Sequence, residues 1–218
     1  METDLRMTIY DLDGTLLAGS TFTPFLIFAA WRIAPWRLAL LPVWIVLMAG
    51  HKLGLIDRTG LKHRGMRLMI GRPSPERLDA VARDFAAQRV ARLFPGARRA
   101  MADDRRAGRM IVIATAAYGF YAEHIASLLG VDHIIASRWS SAGPPQPNCY
   151  GPEKLARVES WLGAQGIAGQ DLHLRFVSDS FADAPLLDRA DEAWFVTARA
   201  KPAEKARRRG WLPVDFRS

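Results

Sequence analysis

The chain predicts an α/β fold: a doubly wound parallel sheet with an all-helical segment inserted after the first strand. Three observations predict it. Short apolar runs with β-branched members recur and end abruptly in polar loops. Helix-length stretches separate those runs. One long segment, residues 21–91, breaks the alternation and shows no convincing strand.

The first run is Met7-Thr8-Ile9-Tyr10, which stops at Asp11-Leu12-Asp13-Gly14-Thr15. The pattern returns at residues 110–114, running into Thr115, and at residues 172–177, running into Ser178-Asp179-Ser180. Shorter apolar runs lie at residues 133–135 and 193–196. Helices are expected over residues 96–107, 118–129, 152–162 and 183–188. Strands alternating with helices give a Rossmann-like core, whose ligands sit beyond the carboxyl ends of the strands. Asp11, Thr115 and Asp179 all fall at such ends.

The insertion reads as four helices, over residues 21–33, 36–53, 57–70 and 75–93, punctuated by Pro24, Pro35, Pro73, Pro75 and Pro95. Ser74 is placed to cap the last of them, with Arg77 where a capping box would have Glu. The expected division is a core of residues 1–17 and 96–218, with a helical cap of residues 18–95. The tail, with Arg207-Arg208-Arg209-Gly210-Trp211, reads as a final helix and strand packed on the core.

The chain has 218 residues, half of them apolar, enough for a sizeable core. Its single cysteine, Cys149, forms no internal disulfide, so nothing asks for an oxidising compartment. The start Met1-Glu2-Thr3-Asp4 lacks the basic-then-apolar shape of a signal peptide. A cytoplasmic location is expected, with the inner face of the membrane a second reading. The net charge is +8, and residues 18–95 alone hold 12 Lys and Arg against 4 Asp and Glu. Localised positive charge reads as attraction to an anionic partner or as a solvated basic face. No nucleic-acid-binding module is recognisable.

Residues 22–49 are strongly apolar, but Arg32 and Arg37 interrupt them and Pro35 and Pro42 would bend them. The uncharged part is short of the ~20 residues a span needs. One crossing would also part Asp11 from Thr115, Lys154 and Asp179. A helical hairpin remains, packed into the insertion or dipping into a lipid interface.

Two carboxylates, Asp11 and Asp13, repel each other at a strand end unless a cation sits between them. Gly14 lets the backbone approach a ligand, and Thr15 can cap the next turn. One carboxylate can attack phosphorus while the other handles protons. Thr115 and the following amides, from Ala116 on, can hold phosphoryl oxygens where a helix begins. Lys154, opening a helix after Gly151-Pro152, can offset phosphoryl charge, although a lone lysine there is ordinarily on the surface. Asp179 suits an oxygen-preferring cation, and Asp183 can orient it from behind. The five histidines show no metal-ligand spacing with Cys149.

The order D-x-D-G-T, strand-Thr, Lys, D-x-x-x-D resembles the haloacid dehalogenase superfamily, over essentially the whole chain. The insertion, Cys149-Tyr150-Gly151-Pro152-Glu153-Lys154 and Val177-Ser178-Asp179-Ser180-Phe181-Ala182-Asp183 look like its phosphoserine-phosphatase-like branch. Ser178 departs from the usual Gly. The resemblance implies a phosphatase with Asp11 as nucleophile and Asp13 as general acid and base. It implies that Gly14, Thr115, Ala116 and Lys154 surround the phosphoryl group. Mg²⁺ would be held by Asp11, the Asp13 backbone carbonyl and Asp179. Phosphoserine phosphatases carry a Glu nine positions after the nucleophile; here that position is Ser20. The proline-broken apolar start of the cap instead resembles phosphatidylglycerophosphatase C-type members. That implies a lipid phosphate such as phosphatidylglycerol phosphate, the alternative being a small soluble phosphomonoester. A catalytically inactive membrane-surface protein is the reading from another class. On the lipid reading, Phe22, Phe25, Trp31, Trp36 and Trp44 meet the interface, and Arg32, Arg37, Lys52, Arg58, Lys62, Arg64 and Arg67 meet anionic head groups.

Overall fold

The computed structural model describes residues 5–140, 143–167 and 172–218. The amino-terminal start and part of the proline-rich loop lie outside the described residues. Strands β1 (Leu5–Tyr10), β2 (Met110–Tyr118), β3 (His133–Ser137), β4 (Leu172–Ser178), β5 (Glu192–Val196) and β6 (Leu212–Val214) form one sheet in the order β3-β2-β1-β4-β5-β6. Every pairing is parallel. Such a sheet is covered on both faces, which is why β1 and β4 are apolar and largely buried along their lengths. β1 lies at the centre, flanked by β2 and β4, so the carboxyl ends of all three open on one place.

Between β1 and β2 the described residues hold helices α1 (Phe22–Ile33), α2 (Leu41–Lys52), α3 (Arg58–Met69), α4 (Pro75–Val90) and α5 (Pro95–Arg106). The expected second helix is two pieces. A 3₁₀ stretch, Pro35–Leu40, precedes α2, and Pro42 sits in the first turn of α2. There its missing N–H costs no helical bond. Ser74 caps α4 by accepting from the Arg77 amide. One hydrophobic cluster runs from Tyr10, Ile113 and Val177 on the sheet through Tyr121 into Phe25, Met66 and Phe85 of the insertion. The insertion and one face of the sheet therefore share a single core.

The other face is covered by α7 (Pro152–Ala164), α8 (Ala184–Arg189) and α9 (Ala200–Arg207), while α6 (Gly119–Leu128) packs on α4. The tail closes this face. Trp211 is buried and donates from Nε1 to Asp188 at 2.8 Å, and Arg209 binds the same carboxylate.

Two aromatic positions assigned to a lipid interface point inward. Phe25 and Trp44 are fully buried in the shared core, Phe25 stacked on Tyr121 and Trp44 edge-on to Phe22. Trp31 and Trp36 are about two-thirds exposed, at 64% and 65%.

Candidate active site

β1 delivers Asp11 to the centre of the sheet edge, where its amide donates to Val177 O at 2.9 Å. The chain then turns at Gly14, with φ +80°. A Cβ there would stand 2.2 Å from Asp179 Oδ2, so only glycine lets these two segments meet. Thr15 caps no helix. Its hydroxyl oxygen accepts from the Asp179 amide at 2.9 Å, tying the end of β1 to the end of β4.

The two carboxylates of the first turn face different partners. Asp11 is buried, and Oδ1 accepts from Lys154 Nζ at 3.0 Å. Asp13 is held by Thr21, whose amide and hydroxyl each donate to it at 3.1 Å. Burial pushes the Asp13 carboxyl above the ordinary aspartate range despite those bonds.

Lys154 is no surface lysine. Gly151, at φ +58°, swings the chain into α7, and the Lys154 side chain runs inward to 1% exposure. Its ammonium also donates to Asp183 Oδ2 at 2.6 Å, and the Ser178 hydroxyl donates to the same oxygen at 2.8 Å. Ser178, the departure from the family pattern, thus orients Asp183. Burial pulls the ammonium down, but Asp11 and Asp183 override it and hold Lys154 above the ordinary lysine value. Asp11 itself is pushed up, first by burial and then by Asp183 and Asp179, against the pull of Lys154.

Thr115 does not end its strand. β2 continues to Tyr118, with a register shift against β3 between Thr115 and Tyr118, and α6 begins only at Gly119. The amides after Thr115 therefore do not form a helix start. Instead the Thr115 hydroxyl accepts from the Ala117 amide at 3.0 Å. Asp11, Asp13, Thr115, Ala116, Lys154, Asp179 and Asp183 all line one cavity of about 320 Å³, with Arg58 and Tyr150 at its rim. Gly14 is not in that lining and acts through the Asp179 approach.

Oxygen donors suit a hard cation. Four carboxylates line this cavity against two cations, Lys154 and Arg58. Asp179 is raised to about 6, first by burial and then by the charge of Asp183. Asp183 Oδ1 is buried without a hydrogen-bond partner. This surplus of negative charge fits a divalent cation held by Asp11 and Asp179. Among the described residues, no cluster of three His, Cys, Asp or Glu side chains converges for metal, and the Asp13 side chain is engaged by Thr21. Such a set would be completed by backbone oxygen and solvent.

The model of haloacid dehalogenase-like hydrolases matches residues 8–188. The chain belongs to that family. Among curated proteins, the "Inhibition of morphological differentiation protein" of Streptomyces azureus is 29% identical over 117 residues, which cover 50% of this chain and 41% of that one. The match thus spans less than half the length of that relative. Among solved structures, a protein of unknown function from Bordetella pertussis Tohama I superposes with TM-score 0.82 at 24% identity, covering 98% of this chain and 100% of that one. A substrate-bound phosphoserine phosphatase complex gives TM-score 0.63 at 14% identity, covering 98% and 93%. Likeness at these identities speaks for the haloacid dehalogenase-like fold.

Sequence reasoning missed several residues around this hydrolase site. Thr21, which holds Asp13, carries no motif. Ser178 was noted only as a departure. Lys62, assigned to head groups, is 6% exposed and donates to Ala116 O at 2.6 Å and Asn148 Oδ1 at 3.0 Å. Arg32 pairs with Asp84, and Arg37 donates to the Arg67 and Leu68 carbonyls. The signal that separates these basic residues is burial, which spacing alone does not reveal.

Proposed function

We propose that the chain is a Mg²⁺-dependent phosphomonoester hydrolase working through an aspartyl-phosphate on Asp11. The observation that carries this reading is the buried Asp11–Lys154 pair opening on the same cavity as Asp13, Thr115 and Asp179. An Asp11 oxygen attacks phosphorus, and the bond from phosphorus to the leaving oxygen breaks. Asp13, raised by burial, gives that oxygen its proton. Asp13 then takes a proton from water, whose oxygen attacks phosphorus and frees Asp11 and inorganic phosphate. Lys154 offsets charge on the phosphoryl oxygens, and Thr115 and Ala116 hold them. Asp11, the Asp13 carbonyl and Asp179 would hold Mg²⁺, which when bound would supply the remaining charge neutralisation. Residues 18–95 form the cap in this reading, with 1–17 and 96–218 the catalytic core.

For the substrate we infer a lipid phosphate, phosphatidylglycerol phosphate being the leading candidate. Among the described residues the carboxylates lining the cavity are the four already named, so an amine has no separate handle there. The cation on its rim, Arg58, lies over the Tyr150 ring at 3.9 Å and favours an anionic leaving group. The insertion also exposes Trp31, Trp36, Val43, Ile45, Val46 and Leu53, and it carries the basic excess of the chain. Apolar burial and acidic lipid together favour such a surface at an interface. No helix of the described residues is long and apolar enough to cross a membrane. The proposal is thus peripheral contact, from the cytoplasmic side.

The test is phosphate release with Mg²⁺ from phosphatidylglycerol phosphate in mixed micelles, phosphoserine and glycerol phosphates. The lipid ester should be preferred. Preference for a soluble ester, with no binding to anionic vesicles at low salt, would leave the phosphatase and remove the lipid reading. Turnover of none, with vesicle binding retained, would favour an inactive membrane-surface protein.

A further inference from the structure

β2 loses its regular ladder between Thr115 and Tyr118, so the peptide joining Ala116 to Ala117 needs other partners. It has two. Its N–H donates to the Thr115 hydroxyl oxygen at 3.0 Å, and its carbonyl accepts from Lys62 Nζ at 2.6 Å. Lys62 belongs to α3 of the insertion, 54 residues away in sequence. The same ammonium donates to Asn148 Oδ1 at 3.0 Å, and Asn148 Nδ2 returns a bond to Thr59 of α3 at 2.9 Å. Asn148 lies on the segment that turns through Gly151 to Lys154. One lysine of the insertion thus touches both segments that present phosphoryl-binding groups.

Burying an ammonium costs far more than burying an apolar anchor. Two hydrogen bonds, the Tyr118 ring with its centroid 3.9 Å away and the charge of Asp13 offset part of that cost, but burial still outweighs them and pulls the lysine down to about 7. A contact that only fastened the insertion to the core would be served by leucine or methionine. The ammonium does something an apolar side chain does not: it fixes the direction of a carbonyl beside Thr115. The Ala117 bond uses the Thr115 oxygen as acceptor, which leaves the hydroxyl proton free to donate into the cavity.

We propose that Lys62 is a positioning residue for the phosphoryl site, through which docking of the helical insertion sets the Ala116–Ala117 peptide, and with it Thr115, and braces the segment leading to Lys154. This rests on the phosphatase reading above. It adds a dependence of the core's phosphoryl contacts on the insertion.

The experiment compares wild type, Lys62→Met and Lys62→Cys, the last before and after aminoethylation of its thiol, which restores an ammonium at nearly the same reach. Position 62 and Cys149 are both buried, so the thiol at 62 is alkylated in the unfolded protein, in a Cys149→Ser background, and the protein is then refolded. Three readouts are taken with Mg²⁺: kcat and KM on an aryl phosphate, inhibition by vanadate, and hydrogen exchange at the Ala117 amide. Loss of a charge-assisted hydrogen bond should lower kcat/KM by about tenfold or more in Lys62→Met. The vanadate inhibition constant should rise by a similar factor and Ala117 exchange should quicken, with aminoethylation reversing all three. If Lys62→Met does not fold, Asn148→Ala, which keeps the ammonium and removes one acceptor, should show the same changes to a smaller extent. An active wild type with kcat/KM, vanadate inhibition and exchange unchanged in the variants would overturn the proposal. So would activity lost only in proportion to folded protein. A wild type inert toward every phosphate ester would overturn the phosphatase reading instead, and Ala117 exchange would still decide the role of Lys62.

Discussion

Thr21 grips both oxygens of Asp13, its amide on Oδ1 and its hydroxyl on Oδ2, each at 3.1 Å. The Tyr121 hydroxyl lies 3.2 Å behind the Thr21 hydroxyl. The carboxyl proposed to move protons is therefore aimed by the first residues of the insertion. Thr21→Val keeps the amide bond and the shape but removes the hydroxyl. A net hydrogen bond of about 1 kcal/mol corresponds to roughly a fivefold effect. We expect kcat on an aryl phosphate to fall by about that factor or more with KM little changed. Unchanged kcat would mean that the hydroxyl does not hold Asp13 in the working enzyme.

Lys154 sits between Asp11 and Asp183 with all three side chains buried. Removing one partner of a buried ionic cluster leaves charge without compensation, at about 3–5 kcal/mol. Lys154→Met should lose most of its resistance to urea in metal-free buffer and should turn over no phosphate ester. Saturating Mg²⁺ should restore stability more in this variant than in wild type, because the cation reduces the same carboxylate repulsion. Equal urea midpoints for the two proteins would contradict the charge balance described here.

At the other end of the sheet, Glu192 lies between two arginines. Burial pushes its carboxyl up, but hydrogen bonding and charge from Arg175, then Arg109, outweigh it and hold it below the usual glutamate value. A carboxyl lowered by folding adds stability that is present above its unfolded pKa of about 4.3 and is lost as pH falls through the lower folded value. Melting temperature should therefore drop on acidification below about pH 4.3, and Glu192→Gln should flatten that part of the curve. A variant with the same acid limb as wild type would show that Glu192 contributes nothing to it.

The sheet was legible because β1 and β4 end in polar turns and the apolar runs recur between helix-length stretches, a pattern that survives without tertiary context. Asp11 and Asp179 were visible for the same reason. Other features depend on what packs against them. Thr115 looked like a strand end because Ala116-Ala117-Tyr118 reads as a helix start, yet the strand continues there with a shifted register. Lys154 and Lys62 look like ordinary surface lysines until Asp11, Asp183 and the Ala116 carbonyl surround them. In the insertion, α1 and α2 are apolar nearly all round. Nothing in their periodicity separates buried Phe25 and Trp44 from exposed Trp31 and Trp36. The split of the expected second helix turned on whether Pro42 falls inside a helix or in its first turn.

The central claim is that Asp11 carries the phosphoryl group. Asp11→Asn keeps the size of the side chain and removes the nucleophilic charge. Turnover of an aryl phosphate in the presence of Mg²⁺ should be abolished in Asp11→Asn and present in wild type. Equal turnover by the two proteins would contradict the mechanism.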